Sequence, residues 1–342
     1  MTLQDEYRTI HEGAAVVTGA PRARVALSGK DRASYLHGLL TNDILALTPG
    51  TGCYAAWLTP QGRMITDMHV LEAGDMMLLD VPASVRELVL QRLDQFLFSE
   101  DVQIGDLTDA LHGVSVHGPR AAQAIERATA LRNNPEATTE EKPEAKDLVN
   151  WPPYRNVRAA FAGSPIVVAR IDQLGVPGFT IYVDPSHEAP LIAAFEREGA
   201  VRVADAAVEA ARIEAGYPLF GIDMDDDIIP LEAGIEPRAI SFTKGCYVGQ
   251  EVIIRVLHRG HGRVARRLVG LRLEGVAAPA RGTRIHADGR EIGFVTSAAE
   301  SPRFGTISLG YVHRDFVAPG TSVEVETDSG PAAATVSALP FA

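Results

Sequence analysis

The sequence predicts an α+β protein, with two ferredoxin-like (split-βαβ) lobes followed by a C-terminal β-barrel. Three observations carry this. Between residues 22 and 105, strand alternation and helical periodicity follow one another as β-α-β-β-β-α-β, a split βαβ plan with one extra strand. A similar order of strands and helices returns between 111 and 203, a likeness of pattern and not of residues. From residue 265 on, short alternating runs are broken by Asp288-Gly289, Pro319-Gly320 and Ser329-Gly330, and no run has a helical period, which reads as a small barrel or sandwich. The expected domains are 1–110 and 111–264 for the lobes and 265–342 for the barrel.

Each element has its own signal. Arg22–Leu27 alternates as a strand, and Ser28 with Asp31 fits a capping box ahead of the periodic Ala33, Leu36, Leu39, Leu40 and Ile44. Cys53–Thr59 and Met64–Leu71 read as a hairpin around Pro60-Gln61-Gly62, since proline then glycine marks a turn. Met76–Val81 is a further strand, Ser84 caps a helix carrying Val85, Leu88, Val89, Leu93 and Phe96, and Asp101–Gly105 returns as a strand. In the second lobe Leu111–His117 is a strand and Gly118-Pro119 opens a helix, proline being suited to the first helical position. Ile166–Ile171 and Gly178–Val183 pair, Ser186 starts a helix ending at Gly199, and Val201–Val203 is a short strand. The stretch 129–156, rich in Glu, Pro, Thr and Asn, reads in its first part as a mobile loop. Asp205–Gly216 is a third helix, and Val252–Leu257 another, stopped by His258, Arg259 and Gly260.

Composition excludes several classes. The chain has 342 residues, 46% hydrophobic, with a formal net charge of −12. Non-specific phosphate binding needs clustered Lys and Arg, so no stable nucleic-acid binding is expected. Arg255, Arg259, Arg263, Arg266 and Arg267 form one basic segment, either a solvated helix end or a counter-charge for an anionic ligand tail. No apolar run reaches membrane-spanning length, and residues 1–13 look neither like a signal peptide nor like a transit peptide. The expected setting is cytoplasmic, without a membrane partner, and the expected state a monomer. The acidic loop 223–227 lacks the alternating ligands of an EF-hand. Two cysteines, Cys53 and Cys246, cannot supply a four-thiolate site, and no resident metal is expected.

The most informative stretch is Lys244-Gly245-Cys246-Tyr247-Val248-Gly249-Gln250-Glu251. A thiol ahead of a helix N-terminus, two residues after a lysine, is biased towards thiolate. The plainer reading is a small buried hydrophobe beside a turn.

These residues carry a resemblance. The octapeptide matches K-G-C-Y-x-G-Q-E of the YgfZ-type folate-binding proteins, a branch of the glycine-cleavage T-protein (aminomethyltransferase) superfamily. Arg212-Ile213-Glu214-Ala215-Gly216, Ile229-Pro230-Leu231-Glu232, Leu40-Thr41-Asn42-Asp43 and Gln61-Gly62-Arg63 resemble further segments of that superfamily. The likeness spans most of the chain and is weakest over 129–151.

The resemblance implies a central cleft for tetrahydrofolate or a derivative. It implies Asp67 facing the reactive folate nitrogen, and Tyr54, Asn42, Arg212 and Glu214 as cofactor-binding candidates. Each has a plainer reading: a strand residue for Asp67, a packed ring for Tyr54, a helix end for Asn42 and an internal ion pair for Arg212 with Glu214. Cys246 and Lys244, with Asp67, are the catalytic candidates, Lys244 as the group that stabilises a Cys246 thiolate. The chain departs from the transferase pattern at Thr66, Thr180 and Cys246, which stand where that branch has carboxylates. The expected function is therefore an accessory factor in assembly or repair of iron–sulfur proteins, with such proteins as partners. The alternative is a folate-dependent aminomethyltransferase or demethylase acting on a small amine.

Overall fold

The computed structural model describes residues 1–19, 21–129, 147–258, 262–327 and 330–342. The early part of the expected mobile loop, 130–146, lies outside the described residues.

The chain opens with helix α1 (Leu3–Glu12), which turns Tyr7 and Ile10 inward. Thr2 accepts from the Asp5 amide at 3.2 Å and the Asp5 carboxylate accepts from the Thr2 amide at 3.2 Å, a reciprocal cap. Strand β1 (Ala15–Val17) follows. The first lobe is then built from β2 (Arg22–Ser28), α2 (Arg32–Leu39), β3 (Gly52–Leu58), β4 (Met64–Glu72), β5 (Met77–Pro82), α3 (Arg86–Gln95) and β6 (Gln103–Asp106). The second comprises β7 (His112–His117), α4 (Ala121–Ala128), β8 (Asn156–Phe161), β9 (Ser164–Arg170), β10 (Gly178–Val183), α5 (Pro185–Arg197) and β11 (Val201–Arg202). Helices α6 (Asp205–Glu214), α7 (Pro230–Ala233), α8 (Glu236–Ala239) and α9 (Gln250–His258) lead into the barrel.

Both lobes are thus β-α-β-β-β-α-β. Their sheets share one order, β3-β4-β5-β2-β6 in the first and β8-β9-β10-β7-β1-β11 in the second, where β1 is inserted ahead of the last strand. Three expectations change here. Residues 3–17, assigned by sequence to the first lobe, pack with the second, because β1 pairs with β7 and β11. Strand β8 was hidden beside the polar stretch that precedes it. The Ser28 capping box does not form either: Asp31 is the cap residue and makes no side-chain cap bond to α2.

Side-chain alternation gives each sheet two faces. In the first, Ala23, Val25, Trp57, Met68, Val70, Leu79 and Val81 pack against α2 and α3. In the second, Val114, Val116, Val168, Phe179 and Ile181 pack against α4 and α5. The remaining faces of the two sheets meet each other. Leu71, Leu78, Val167, Ala169 and Tyr182 close one part of that contact. Fully burying a leucine or valine there contributes about 1.5–3 kcal/mol. The rest of the contact is polar and forms a cleft.

The C-terminal strands β12 (Arg266–Leu273), β13 (Arg284–Ala287), β14 (Arg290–Ser301), β15 (Gly305–His313), β16 (Ser322–Thr327) and β17 (Gly330–Ser337) close into a barrel in the order β12-β15-β14-β13-β16-β17. Val269, Leu271, Ile285, Val295, Val312, Val323, Val325 and Val336 fill it. The α+β plan with a closed six-stranded barrel is as expected. Among the described residues no helix is long and apolar enough to cross a membrane.

Candidate functional site in the cleft between the sheets

The register of the first sheet sets charged residues in a row. Tyr54 lies opposite His69 and His69 opposite Asp80, while Arg24 lies opposite Asp80 on the other side. Asp67 and Arg22 stand one side-chain repeat further along the same face. Arg22, Arg24, His69 and Asp80 border a cavity of about 190 Å3 whose opposite wall includes Gly113, Ser115 and Thr180 of the second sheet, with the Ser115 and Thr180 hydroxyls 2.9 Å apart.

Asp67 is buried, and its Oδ2 accepts from the Tyr54 hydroxyl at 2.7 Å. Its Oδ1 is buried without a partner. Burial raises its pKa, opposed by the Arg22 charge and by the Tyr54 bond. Burial pushes His69 down to about 3, so its imidazole is neutral, and Nδ1 has no partner while Nε2 lies 3.1 Å from the Gln173 amide. Arg22 pairs with Asp80 at 2.8 Å. The Tyr182 hydroxyl reaches across the cleft to Asp80 at 2.6 Å. Asp80 is held below the usual carboxylate range: burial raises it, but the surrounding positive charges, Arg22 first and Arg24 among them, together with the Tyr182 bond outweigh burial.

Arg238 covers the other side of this row. Its guanidinium lies 3.8 Å from the Tyr217 ring centroid and 5.5 Å from that of Tyr54, within cation–π range. Its Nη1 is buried without a partner. Arg238 and Tyr217 also line a second cavity, of about 440 Å3, against the barrel strand β12.

Three candidates have structural work. Asn42 donates to the carbonyls of Tyr54 at 2.8 Å and Arg238 at 3.1 Å, tying β3 to α8. Arg212 and Glu214 do not pair with each other. Arg212 donates to Asp223 at 2.8 Å, to Ser297 at 2.8 Å and to Glu209 at 2.8 Å. A register shift between Val295 and Ser297 in β14 aims the Thr296 and Ser297 hydroxyls at the same Asp223 carboxylate, a common use of a β-bulge. Glu214 accepts from Tyr7 at 2.7 Å and from Ser301. These residues fasten α6 to the barrel and to α1.

The octapeptide is mostly a latch. The Lys244 ammonium donates to the carbonyls of His37, Leu40 at 2.7 Å and Asn42 at 3.1 Å. It caps the C-terminal end of α2, a favourable place for a cation. Burial pushes its pKa down to about 8, opposed chiefly by the Asp43 charge. The expected pairing with a Cys246 thiolate is therefore replaced by carbonyl capping. Gly249, at φ +86°, lies against the hairpin turn, and a β-carbon there would come within 2.5 Å of the Thr59 carbonyl and 3.3 Å of Gly62. Only glycine fits such an approach. Tyr247 is buried. Cys246 itself is exposed, not the buried hydrophobe of the plainer reading. It precedes the first residue of α9 by four positions and lines neither cavity.

Arg22, Arg24, His69, Asp80, Gln173, Tyr217 and Arg238 were not singled out from sequence. The available signal was alternation itself: Arg22 and Arg24 in β2, and Asp67 and His69 in β4, stand two apart on one face, which Asp80 shares in β5.

Comparison with known proteins agrees with this architecture. A family model described as the GCVT N-terminal domain matches residues 1–244, and one described as the glycine cleavage T-protein C-terminal barrel domain matches 266–342. An aminomethyltransferase of Corynebacterium jeikeium is 30% identical over 351 residues, covering 98% of this chain and 90% of that protein. A putative chloroplastic transferase of Arabidopsis thaliana is 29% identical over 318 residues, covering 92% of this chain and 69% of that protein. The crystal structure of glycine cleavage system aminomethyltransferase T from Bartonella henselae matches with a TM-score of 0.84 at 20% identity, over 99% of this chain and 89% of that one, a likeness of fold. With one family model spanning the lobes and the other spanning the barrel, the chain belongs to the GCVT family, within the aminomethyltransferase-like superfamily.

Proposed function

We propose that the chain binds a tetrahydrofolate between its two sheets and handles a one-carbon unit there, as a folate-dependent aminomethyltransferase or demethylase acting on a small amine. The observation that carries this is Asp67, a buried carboxyl with one oxygen fixed by Tyr54 and the other free to meet a ligand. The unpartnered Asp67 Oδ1, His69 Nδ1 and Arg238 Nη1 offer the mixed acceptors and donors that the edge of a pterin ring requires. The Tyr54 and Tyr217 rings beside Arg238 offer flat surfaces for it.

When bound, tetrahydrofolate supplies the nitrogens that carry a one-carbon unit. The protein's part is positioning and proton handling. Burial disfavours the charged form of Asp67, so its carboxyl can hold a proton at Oδ1 and release it to a neighbouring nitrogen. The Tyr54 bond fixes the carboxyl plane, and Asn42 sets the distance between β3 and α8. Arg212, Glu214 and Lys244 serve the frame and not the ligand. The resemblance points first to iron–sulfur maintenance; the comparisons favour the alternative instead, since the relatives named above are called an aminomethyltransferase and a putative transferase.

The accessory-factor reading keeps one observation, an exposed Cys246 that a partner protein can reach. Two measurements separate the readings. Titration with tetrahydrofolate is expected to show saturable binding, and incubation of that complex with an aminomethylated compound is expected to form methylene-tetrahydrofolate with release of ammonia, whereas an N-methylated amine, with no change of oxidation state, is expected to give methyl-tetrahydrofolate and the demethylated amine. Absence of saturable binding removes both. Binding without any one-carbon transfer returns the case to the accessory role.

A further inference from the structure

Helix α3 covers the face of the first sheet that is turned away from the cleft, and the turn after it holds a phenylalanine out in water. Leu97 packs into the core of the lobe, while Phe98 is 83% exposed. Single exposed apolar residues are ordinary on a protein surface. This one differs in being fixed. The Glu100 carboxylate accepts from the amides of Phe98 and Ser99, both at 3.0 Å, and those two bonds hold it below the usual carboxylate range. The chain is then tied to the residue that precedes α2. The Asp31 carboxylate accepts from the Asp101 amide at 2.9 Å, and the Asp31 amide donates to the Asp101 carbonyl at 3.2 Å. Gly29, at φ +97°, permits that approach, since a β-carbon there would stand 2.1 Å from the Asp101 carbonyl oxygen. Val102, buried in the same core, ends the turn.

Two more apolar side chains reach solvent nearby, Leu88 in the first turn of α3 and Phe96 at its end, about 12 Å apart along the axis. The charge around them is one-sided. Asp31, Glu87, Asp94, Glu100 and Asp101 stand against Lys30 and Arg92. Arg86, at the start of α3, is taken by Asp106 at 2.6 Å and Asp109 at 3.0 Å, and Arg32 by Glu72 at 3.1 Å. Asp94 and Glu100 lie close enough to act together on the Tyr35 phenol.

We propose that this surface docks a protein partner whose own face carries an apolar pocket rimmed by lysine or arginine, with Phe98 as the anchor. Aromatic side chains are enriched in interface cores, and a ring already held in place loses little freedom on docking. Opposite charge around the pocket steers and orients the encounter. The acidic rim also argues against three other occupants. A second copy docked about a twofold axis would set acid against acid. Membrane-binding faces present Lys and Arg to anionic headgroups. Nucleic-acid phosphates would be repelled. Because α3 and the cleft lie on opposite faces of the first sheet, docking leaves the cleft open.

The probe is a labelled amphipathic helix of leucine and lysine, titrated with the full chain and read by fluorescence anisotropy. One control is its leucine–glutamate counterpart, which reverses the charge. The other is an alanine–lysine helix, which lacks the apolar stripe. The leucine–lysine helix is expected to bind, less tightly as salt is raised, and each control to bind roughly tenfold more weakly or worse. Phe98→Ser should weaken binding of the leucine–lysine helix by roughly tenfold or more, with an unchanged melting temperature and unchanged tetrahydrofolate binding. Glu100→Gln, which loosens the turn, should show a smaller loss. Phe242→Ser removes an exposed ring two residues ahead of Lys244 and should bind the helix like the parent protein. Undiminished binding by Phe98→Ser, an equal loss in Phe242→Ser, or equal binding of the two charged helices overturns the proposal. Phe98-dependent attachment to phosphatidylglycerol vesicles, or Phe98-dependent dimerisation in sedimentation, overturns it in favour of a lipid surface or a second copy. Loss of tetrahydrofolate binding in Phe98→Ser overturns the separation of this surface from the cleft.

Discussion

Among the described residues, the buried charges around Asp223 and those around Asp67 differ in what is left over. Around Asp223, Arg212 donates to two carboxylates and a hydroxyl, and Asp223 accepts from Arg212, Leu219, Thr296 and Ser297. Every charge there is answered from within the chain. Around Asp67 the burial is similar, but Asp67 Oδ1, His69 Nδ1, Arg24 Nε and Arg238 Nη1 have no partner. A satisfied buried network holds elements together, whereas unanswered groups cost stability and persist where a ligand completes them. The residue types are alike, so the hydrogen-bond accounting separates frame from site.

The largest contrast is expected between Asp67→Asn and Asp223→Asn. Asp67→Asn removes the proton carrier and should lower one-carbon transfer by about 10²–10⁴-fold. It should leave stability unchanged or raised by up to about 2 kcal/mol, since a buried and incompletely paired acid is neutralised. Asp223→Asn removes the fully buried one of the two carboxylates that answer Arg212, together with the acceptor of Leu219, Thr296 and Ser297, and should cost about 3–5 kcal/mol in urea unfolding, while transfer in the surviving folded fraction persists. Equal stability losses in the two variants would collapse the distinction.

Acid provides a second test of the cleft. His69 is pushed down to about 3 and His117, buried with its Nδ1 unpartnered, to about 4. Both values lie below the value of about 6.5 for an unfolded histidine. Between those limits the unfolded chain binds more protons than the folded one, so stability falls as pH drops from 6.5 towards 4. The loss is about 3 kcal/mol per imidazole at pH 4. His117→Gln and His69→Gln should each flatten that decline in pH-dependent unfolding. An unchanged decline in both variants would mean that these rings are not buried neutral.

The sequence made much of the frame legible and less of the cleft. The hairpin β3–β4 was readable because Pro60-Gln61-Gly62 marks its turn, and the barrel because its turns break short alternating strands. The crossing of β1 into the second sheet was not, because three residues carry no pairing signal of their own. Tyr54 and Asp67 were found through the resemblance, but Arg22 and Arg24 look like an exposed strand face until a second sheet is known to cover them. Arg212 and Glu214 were read as a pair because they are neighbours in sequence. Their partners come from Asp223 and from the barrel, 85 and 87 residues beyond in the case of Ser297 and Ser301.

The smallest effect is expected where the sequence drew most attention. Cys246 is exposed and lines neither cavity, whereas its neighbours Lys244 and Gly249 hold the loop to α2 and to the hairpin turn. Cys246→Ser should therefore change unfolding stability by no more than about 0.5 kcal/mol and leave tetrahydrofolate binding and one-carbon transfer intact. Lys244→Met, by contrast, removes a cap with three acceptors and should destabilise the protein measurably. If Cys246→Ser abolishes support of iron–sulfur enzymes in cells that lack this protein while transfer in vitro is unaffected, the exposed thiol acts outside the cleft chemistry. Loss of transfer in the same variant would instead bring the octapeptide loop into the catalytic cycle, and the division between latch and cleft would have to be redrawn.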